Sequence, residues 1–186
     1  ILERTDEGGV VTLRLNRPGQ FNALSEAMLA ALQAQIDALA RDADARWVVL
    51  ESAGRAFCAG HDLREMRSQP SLDYYRELFR KCGSVMQGLQ ALPAPVIAKV
   101  RGVATAAGCQ LVASCDLAVA ADSATFAVSG INVGLFCSTP AVAQMTSGAS
   151  EEPPMPARVT MSTPSARSSL RSSAISATRP AEAVGR

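Results

Sequence analysis

The strongest restriction on the fold of this chain is the alternation of short apolar runs with longer segments of helical periodicity. Strand-length apolar runs occur at 10–15, 47–51, 96–100 and 117–120. Apolar residues recur at helical spacing over 25–41 and 71–91, and a buried helix is expected around 111–113. The order β-α-β-α-β-α-β, with mainly apolar strands, predicts an α/β fold with a largely parallel sheet.

Composition changes abruptly near Gln144. Residues 144–186 are rich in Ser, Pro and Ala and contain no aromatic residue, whereas all 5 cysteines of the chain precede them. Low hydrophobicity without aromatic residues is typical of disorder. We therefore predict a globular core at 1–143 and a tail at 144–186 that is disordered or read from a shifted frame. A natural truncated paralogue is the alternative.

Charge and cysteine usage exclude several classes of partner. With 18 Lys and Arg against 17 Asp and Glu, the net charge is +1, which argues against nucleic acid and anionic membranes. No apolar run approaches the roughly 20 residues of a membrane span. An odd number of cysteines, no CxxC and a single His predict reduced buried thiols and no metal site. The first residues resemble neither a signal peptide nor a transit peptide.

Two segments that follow predicted strands are the best candidates for chemistry. They are 55–63, which contains His61 and Asp62, and 102–110, in which small residues lead into a helix. The first N–H groups of a helix have no intrahelical partner and stabilise anions, and small side chains let a ligand approach the backbone. An oxyanion or enolate of a thioester would suit such a site. Tight packing of the helix against the sheet is the alternative interpretation.

The motifs around these segments resemble the crotonase superfamily, the enoyl-CoA hydratase/isomerase family. They occur in the order typical of that family, at 16–18, 21–24, 56–63, 95–98, 106–111, 116–120 and 126–134. The segments 104–116 and 132–140 are more similar to the subfamily named enoyl-CoA hydratase domain-containing protein 3. The resemblance implies a crotonase-like spiral of ββα turns (the ClpP/crotonase fold), here truncated at its C-terminal helical section.

The same resemblance implies a site for acyl-CoA thioesters, with coenzyme A as the acyl carrier and no permanently bound cofactor. The backbone N–H groups of His61 and Ala107 would form an oxyanion hole for the thioester oxygen. Arg17 and Arg64 could contact phosphates, or could be solvated surface charges. The resemblance places the CoA groove at Phe21, Asn22, Ala23, Leu24, Ala59, Gly60, Asp62, Leu63 and Gly108.

Two positions depart from the family pattern. The glutamates that activate water and deliver a proton in the hydratases fall at Gln110 and Gly130. An amide cannot act as a carboxylate base, and glycine has no side chain. Because general acid–base catalysis contributes roughly 10²–10⁴-fold, standard hydration is expected to be weak. The imidazole of His61 is an alternative base, whereas Asp62 is better placed to cap the helix that follows it.

Three functions stay open on the sequence alone. The chain could be a hydratase or isomerase of fatty-acid metabolism, a non-catalytic acyl-CoA-binding or interaction protein, or an inactive truncated fragment. The resemblance implies a homotrimer or a dimer of trimers, with an acyl-CoA as the small-molecule partner. It also implies a cytoplasmic location if the protein is bacterial and the mitochondrial matrix if it is eukaryotic.

Overall fold

The computed structural model describes residues 1–128 and the short segment Ser173–Ser176. The helices are α1 (Glu26–Leu39), α2 (Leu63–Ser68), α3 (Leu72–Gln90) and α4 (Ala107–Ala113), with a 3₁₀ turn at Pro18–Gln20. The strands are β1 (Leu2–Glu7), β2 (Val10–Leu15), β3 (Trp47–Ser52), β4 (Ala56–Cys58), β5 (Val96–Val100), β6 (Val103–Thr105), β7 (Leu117–Ala120), β8 (Thr125–Ala127) and β9 (Ser173–Ser176).

The strands form two sheets. The larger sheet has the order β1-β2-β3-β5-β7-β9, and its four inner strands, β2, β3, β5 and β7, run parallel to one another. Strands β1 and β9 pair antiparallel at its two edges. The smaller sheet, β4-β6-β8, is parallel throughout. These sheets, with the helices that connect their strands, confirm the predicted α/β class and largely parallel sheet.

The four predicted strands and the two long helices are confirmed, but the smaller sheet was not predicted. Its strands have three residues each, which is too short for a periodic pattern to be visible. Strand β6 lies in the small-residue segment at 102–110, for which the sequence indicated only the beginning of a helix. The beginning of α1 follows the expectation, because the hydroxyl of Ser25 accepts a hydrogen bond from the N–H of Met28 at 3.2 Å.

One hydrophobic core joins both sheets to the helices. The buried face of α1 consists of Met28, Leu29, Leu32, Ile36 and Leu39, and that of α3 of Leu78, Cys82, Val85, Met86 and Leu89. Phe57 and Ala104 from the smaller sheet and Leu111 from α4 belong to the same cluster. The loops that follow β4 and β6 are therefore held on elements whose side chains are fixed in the core.

Most of the predicted tail lies outside the described residues. Of 144–186, the structure describes only β9, which pairs with β7, so the division at 143 and 144 stays a prediction. Gly130 also lies outside the described residues. Within the part of the chain that the structure describes, no helix combines the length and apolar character that crossing a membrane requires.

Candidate functional site

The two segments that were singled out in the sequence meet at the carboxyl ends of β4 and β6. These strands are parallel neighbours, so the loop after β4 lies beside the turn that leads into α4. A Cβ atom on Gly60 would lie 3.1 Å from the Cβ of Ala106 and 3.3 Å from the backbone N of Ala107. Gly60 also has a φ of 87°. Glycine is therefore required there both for its conformation and for the close approach of the two loops.

Ala106 holds a backbone conformation that a residue with a Cβ rarely adopts. Its φ is 51° and its ψ is −122°, immediately before the first residue of α4. Its N–H donates to the carbonyl of Ala127 at 3.0 Å, and its own carbonyl accepts the N–H groups of Cys109 and Gln110. Strain of this kind costs about 1–3 kcal/mol and persists only where surrounding contacts impose it, most often at functional sites.

Two backbone donors at this junction have no acceptor within the described residues. The N–H groups of His61 and Ala107 make no hydrogen bond to any group in 1–128 or 173–176. By contrast, the N–H of Ala59 donates to Phe21 at 3.1 Å and the N–H of Asp62 donates to Leu24 at 3.3 Å. Because backbone donors are normally satisfied, two adjoining free N–H groups provide a place where an anionic or carbonyl oxygen could accept two hydrogen bonds.

The loop at 59–62 is held by the segment at 21–24, which was also predicted to belong to the site. The N–H of Leu24 donates to the carbonyl of Gly60 at 2.8 Å, and Leu24 forms an isolated parallel bridge with His61. Ala23 and Leu24 are buried in the core, whereas the ring of Phe21 is exposed. The guanidinium carbon of Arg55 lies 4.7 Å from the centre of that ring. This cation–π contact was not predicted, because it joins two residues that are far apart in the sequence.

Asn22 anchors this segment from inside the protein. Its side chain is fully buried, and its amide nitrogen donates to the carbonyls of Ala53 and Ala56 at 2.8 Å each. Its amide oxygen accepts the N–H of Arg17 at 2.8 Å. Asn22 has a φ of 53°, a left-handed conformation that Asn tolerates better than most residues. Its side chain therefore supports the wall of the site from behind.

Asp62 caps α2, as the sequence predicted. One carboxylate oxygen accepts the N–H groups of Arg64 and Glu65, at 3.1 and 3.3 Å. The other oxygen lies 2.8 Å from a guanidinium nitrogen of Arg17. Burial opposes ionisation of this carboxyl, but these donors outweigh it and hold the pKa of Asp62 below its ordinary value. Arg17, a candidate phosphate contact, is thus already paired with a carboxylate in this structure.

The stabilising effect of the Asp62 carboxylate is expected to disappear in acid. A lowered pKa in the folded protein means that the gain is present above the unfolded value, about pH 4, and is lost as the pH falls through the folded value. Urea unfolding should show the Asp62→Asn variant about 1 kcal/mol less stable at pH 7, and the difference should shrink below pH 4. The exposed Asp44→Asn variant is the control for removal of a surface carboxylate. A difference that does not change with pH would contradict the assignment.

The His61 side chain packs against α3. Its ring makes an edge-to-face contact with the ring of Phe79, with centroids 5.3 Å apart and an interplanar angle of 81°. Both ring nitrogens are buried and make no hydrogen bond of good geometry within the described residues, although the backbone of Leu24 lies near enough to favour the charged ring. Burial outweighs that contact and lowers the pKa of the imidazole, so the ring is neutral at pH 7. The ring nitrogens are enclosed in this arrangement, which leaves the alternative of a catalytic imidazole without geometric support.

Gly108 and Gln110 lie on the buried side of α4. A Cβ atom on Gly108 would lie 2.2 Å from the carbonyl oxygen of Cys58, so the helix contacts β4 backbone to backbone. The packing interpretation of the small-residue segment is therefore correct for Gly108, whatever else the segment does. Gln110 is buried one helical turn after Ala107. Leu63, at the start of α2, is exposed.

The buried thiols of Cys58 and Cys115 give no sign of a nucleophile. Burial raises the pKa of Cys58, the cysteine nearest to His61 in sequence, to about 12, and it raises the pKa of Cys115 to about 12 as well. Both are therefore protonated at neutral pH and act as small apolar side chains. Within residues 1–128, no group of three or more His, Cys, Asp or Glu side chains is arranged to hold a metal ion.

Comparison with known sequences gives a match over most of the chain. The family profile described as enoyl-CoA hydratase/isomerase matches residues 5–148. The mitochondrial enoyl-CoA hydratase domain-containing protein 3 of Xenopus laevis is 44% identical over 137 residues, which are 74% of this chain and 47% of the relative. The human protein of the same name is 49% identical over 135 residues, 73% of this chain and 45% of the relative. The chain thus spans about half the length of these curated relatives.

Solved structures agree with the sequence matches. An enoyl-CoA hydratase from Mycobacterium smegmatis is 64% identical, with a TM-score of 0.75, and the match covers 81% of this chain and 59% of that one. Human enoyl-CoA hydratase domain-containing protein 3 is 46% identical, with a TM-score of 0.73, and the match covers 78% of this chain and 57% of that one. With its crotonase-like α/β fold and a family match from 5 to 148, the chain belongs to the enoyl-CoA hydratase/isomerase family.

Proposed function

We propose that this chain forms the acyl-CoA-binding core of its protein and polarises the thioester carbonyl with the backbone N–H groups of His61 and Ala107. The observation that carries the proposal is a pair of donors that have no acceptor within 1–128 and 173–176, at the point where two tightly packed loops meet. The strained backbone of Ala106 between the loop and α4 supports the same assignment. Membership of a family named for enoyl-CoA chemistry supplies the substrate class.

The chemistry of such a pair is electrostatic. As the thioester oxygen gains negative charge, two fixed N–H donors stabilise it without reorganisation, and removal of one donor typically costs about 3 kcal/mol in the transition state. The donors belong to the main chain, so the identity of the two side chains matters little for this step. The packing of Gly60 against Ala107 sets their separation.

The predicted CoA groove divides into exposed and supporting residues. Phe21, Ala59 and Leu63 retain solvent-accessible surface, so we propose that they contact the coenzyme directly. The remaining predicted positions are buried or tied into hydrogen bonds, and they would contribute through their backbone or hold the wall from behind. These are Asn22, Ala23, Leu24, Gly60, Asp62 and Gly108.

Binding without efficient turnover is the second candidate function, and Gln110 favours it. An amide at this position cannot remove a proton from water. The two carboxylates next to the loop at 59–62 are both engaged in structure: Asp62 pairs with Arg17, and Glu65 accepts the N–H of Glu26 at 2.9 Å. Neither is free to replace a catalytic glutamate without breaking a helix cap or an ion pair.

Isotope-edited infrared spectroscopy of bound crotonyl-CoA tests the proposed pair of donors. With ¹³C at the thioester carbonyl, we expect binding to lower the carbonyl stretching frequency in the natural protein and in the Ala107→Gly variant. The Ala107→Pro variant lacks this N–H but keeps a residue that the first position of a helix accepts. It should lose much of the shift and bind more weakly. Circular dichroism checks that α4 persists in both variants.

The ultraviolet absorbance of the same mixture of protein and crotonyl-CoA separates the two candidate functions. If the bound ester keeps its conjugated absorbance, the protein binds without turnover, and the Gln110→Glu variant shows whether a carboxylate restores hydration. A rapid loss of absorbance in the natural protein would favour an enzyme whose acid and base lie elsewhere. A bound carbonyl at its solution frequency in the natural protein would contradict the proposed pair of donors altogether.

Location and assembly remain proposals that rest on relatives. The frog and human relatives carry the word mitochondrial in their names, which favours the mitochondrial matrix if this protein is eukaryotic. A cytoplasmic location is the corresponding proposal for a bacterial protein. A homotrimer or a dimer of trimers is proposed on the family resemblance alone.

A further inference from the structure

The side chain of His61 contacts Phe79 on α3. His61, whose backbone N–H is one of the two proposed donors, packs its ring edge-to-face against the ring of Phe79. The ring centroids lie 5.3 Å apart. The two ring nitrogens of His61 are inaccessible to water, so no space of even that size exists around them. Phe79 itself is 48% exposed, so its remaining surface is open to solvent.

We propose that the His61–Phe79 pair is a specificity-determining wall that limits the size of the acyl group. This inference rests on the proposed function, because it places the thioester oxygen at the N–H of His61. The acyl chain is bonded to the same carbon as that oxygen. It therefore begins within one side-chain length of the His61 ring. A chain that extends toward α3 meets the paired rings after few methylene groups.

The wall acts by shape and not by proton transfer. An imidazole that exchanges protons with a substrate needs a nitrogen that the substrate can reach, and both nitrogens of His61 are enclosed. Burial also keeps the ring neutral. A phenylalanine ring would fill much the same volume without burying two nitrogens that lack hydrogen bonds of good geometry. His61→Phe should therefore preserve size selection and leave the melting temperature equal or higher.

Selectivity is measured as the ratio of dissociation constants for decanoyl-CoA and butanoyl-CoA, two saturated esters that undergo no hydration. Removing the wall in His61→Ala or Phe79→Ala should favour the longer ester by about tenfold, the value expected when two further methylene groups are buried. His61→Phe should leave the ratio within about twofold of the natural protein. Trp47→Ala controls for non-specific adsorption, because Trp47 is 42% exposed at the amino end of β3.

Each outcome decides the question. An unchanged ratio in both alanine variants overturns the wall, and so does a shift in His61→Phe equal to that in His61→Ala, because ring volume would then not matter. If His61→Ala does not fold, the exposed Phe79→Ala variant alone decides. If the natural protein binds neither ester, the result contradicts the proposed function and, with it, the proposal that His61 and Phe79 limit acyl size. If the natural protein binds the esters but the alanine variants show the same ratio of dissociation constants, only the proposed limit on acyl size is contradicted.

Discussion

Replacement of Asn22 by alanine is expected to destabilise the protein by about 3–5 kcal/mol. The fully buried amide satisfies the carbonyls of Ala53 and Ala56 and the N–H of Arg17, all at 2.8 Å. Each buried group left without a partner costs about 1–3 kcal/mol. Alanine also tolerates the left-handed backbone at this position less well than asparagine does. The free energy of unfolding of a domain is only about 5–15 kcal/mol, so this one side chain contributes a large part of it.

Urea unfolding of the Asn22→Ala variant and of a matched Asn16→Ala variant measures this effect. Asn16 also donates through its side-chain amide, to the carboxylate of Glu3, but that hydrogen bond is exposed. Its loss should cost less than about 1 kcal/mol, because water replaces the partner. Equal losses in the two variants would show that Asn22 does not hold the turn at 53–56 in place.

Replacement of Gly108 by alanine is expected to cost about 3 kcal/mol or more. The added methyl group would lie 2.2 Å from the carbonyl oxygen of Cys58 and 2.8 Å from its carbonyl carbon. Both atoms belong to the backbone of β4, so neither can move aside by changing a rotamer. The overlap must be relieved by moving α4 away from the smaller sheet, which is a severe case of overpacking. That movement would also separate the N–H of Ala107 from the loop at 59–62.

Gly83→Ala is the matched control within α3. A Cβ atom there would have no neighbour within 4 Å. Alanine is preferred over glycine in a helix interior by about 0.5–1 kcal/mol, so this variant should be slightly more stable than the natural protein. Thermal unfolding should therefore shift in opposite directions for the two substitutions. A Gly108→Ala variant as stable as the natural protein would mean that α4 does not pack on Cys58 as described.

Much of the fold could be predicted because the signals are local. The helical spacing that starts after Ser25 and the apolar run at 96–100 depend on residues close in sequence, and both elements form where expected. Asp62 was predicted to cap α2 for the same reason, since a cap acts within three residues. The strands of the smaller sheet were missed because three residues carry no period, and they form through pairing with distant strands.

The candidate site was also predicted only in part. The segments at 55–63 and 102–110 were identified from their small residues and motifs, and the close approach of Gly60 to Ala107 brings them together. The strain at Ala106, the contact of Arg55 with Phe21 and the contact of His61 with Phe79 were not predicted. No pattern in the sequence marks Phe79, because it reads as one more apolar position of an amphipathic helix.

By itself, the sequence determined the α/β class and the family resemblance, and it shows glutamine at position 110, because each depends on residue identity and short-range order. Only the tertiary structure decided which polar groups keep a partner. Among the residues that the structure describes, it leaves the N–H groups of His61 and Ala107 without an acceptor, pairs Arg17 with Asp62 and packs the imidazole of His61 against α3. The physical reason is that hydrogen bonding and burial depend on contacts between residues far apart in the chain, and these exist only after the core has formed.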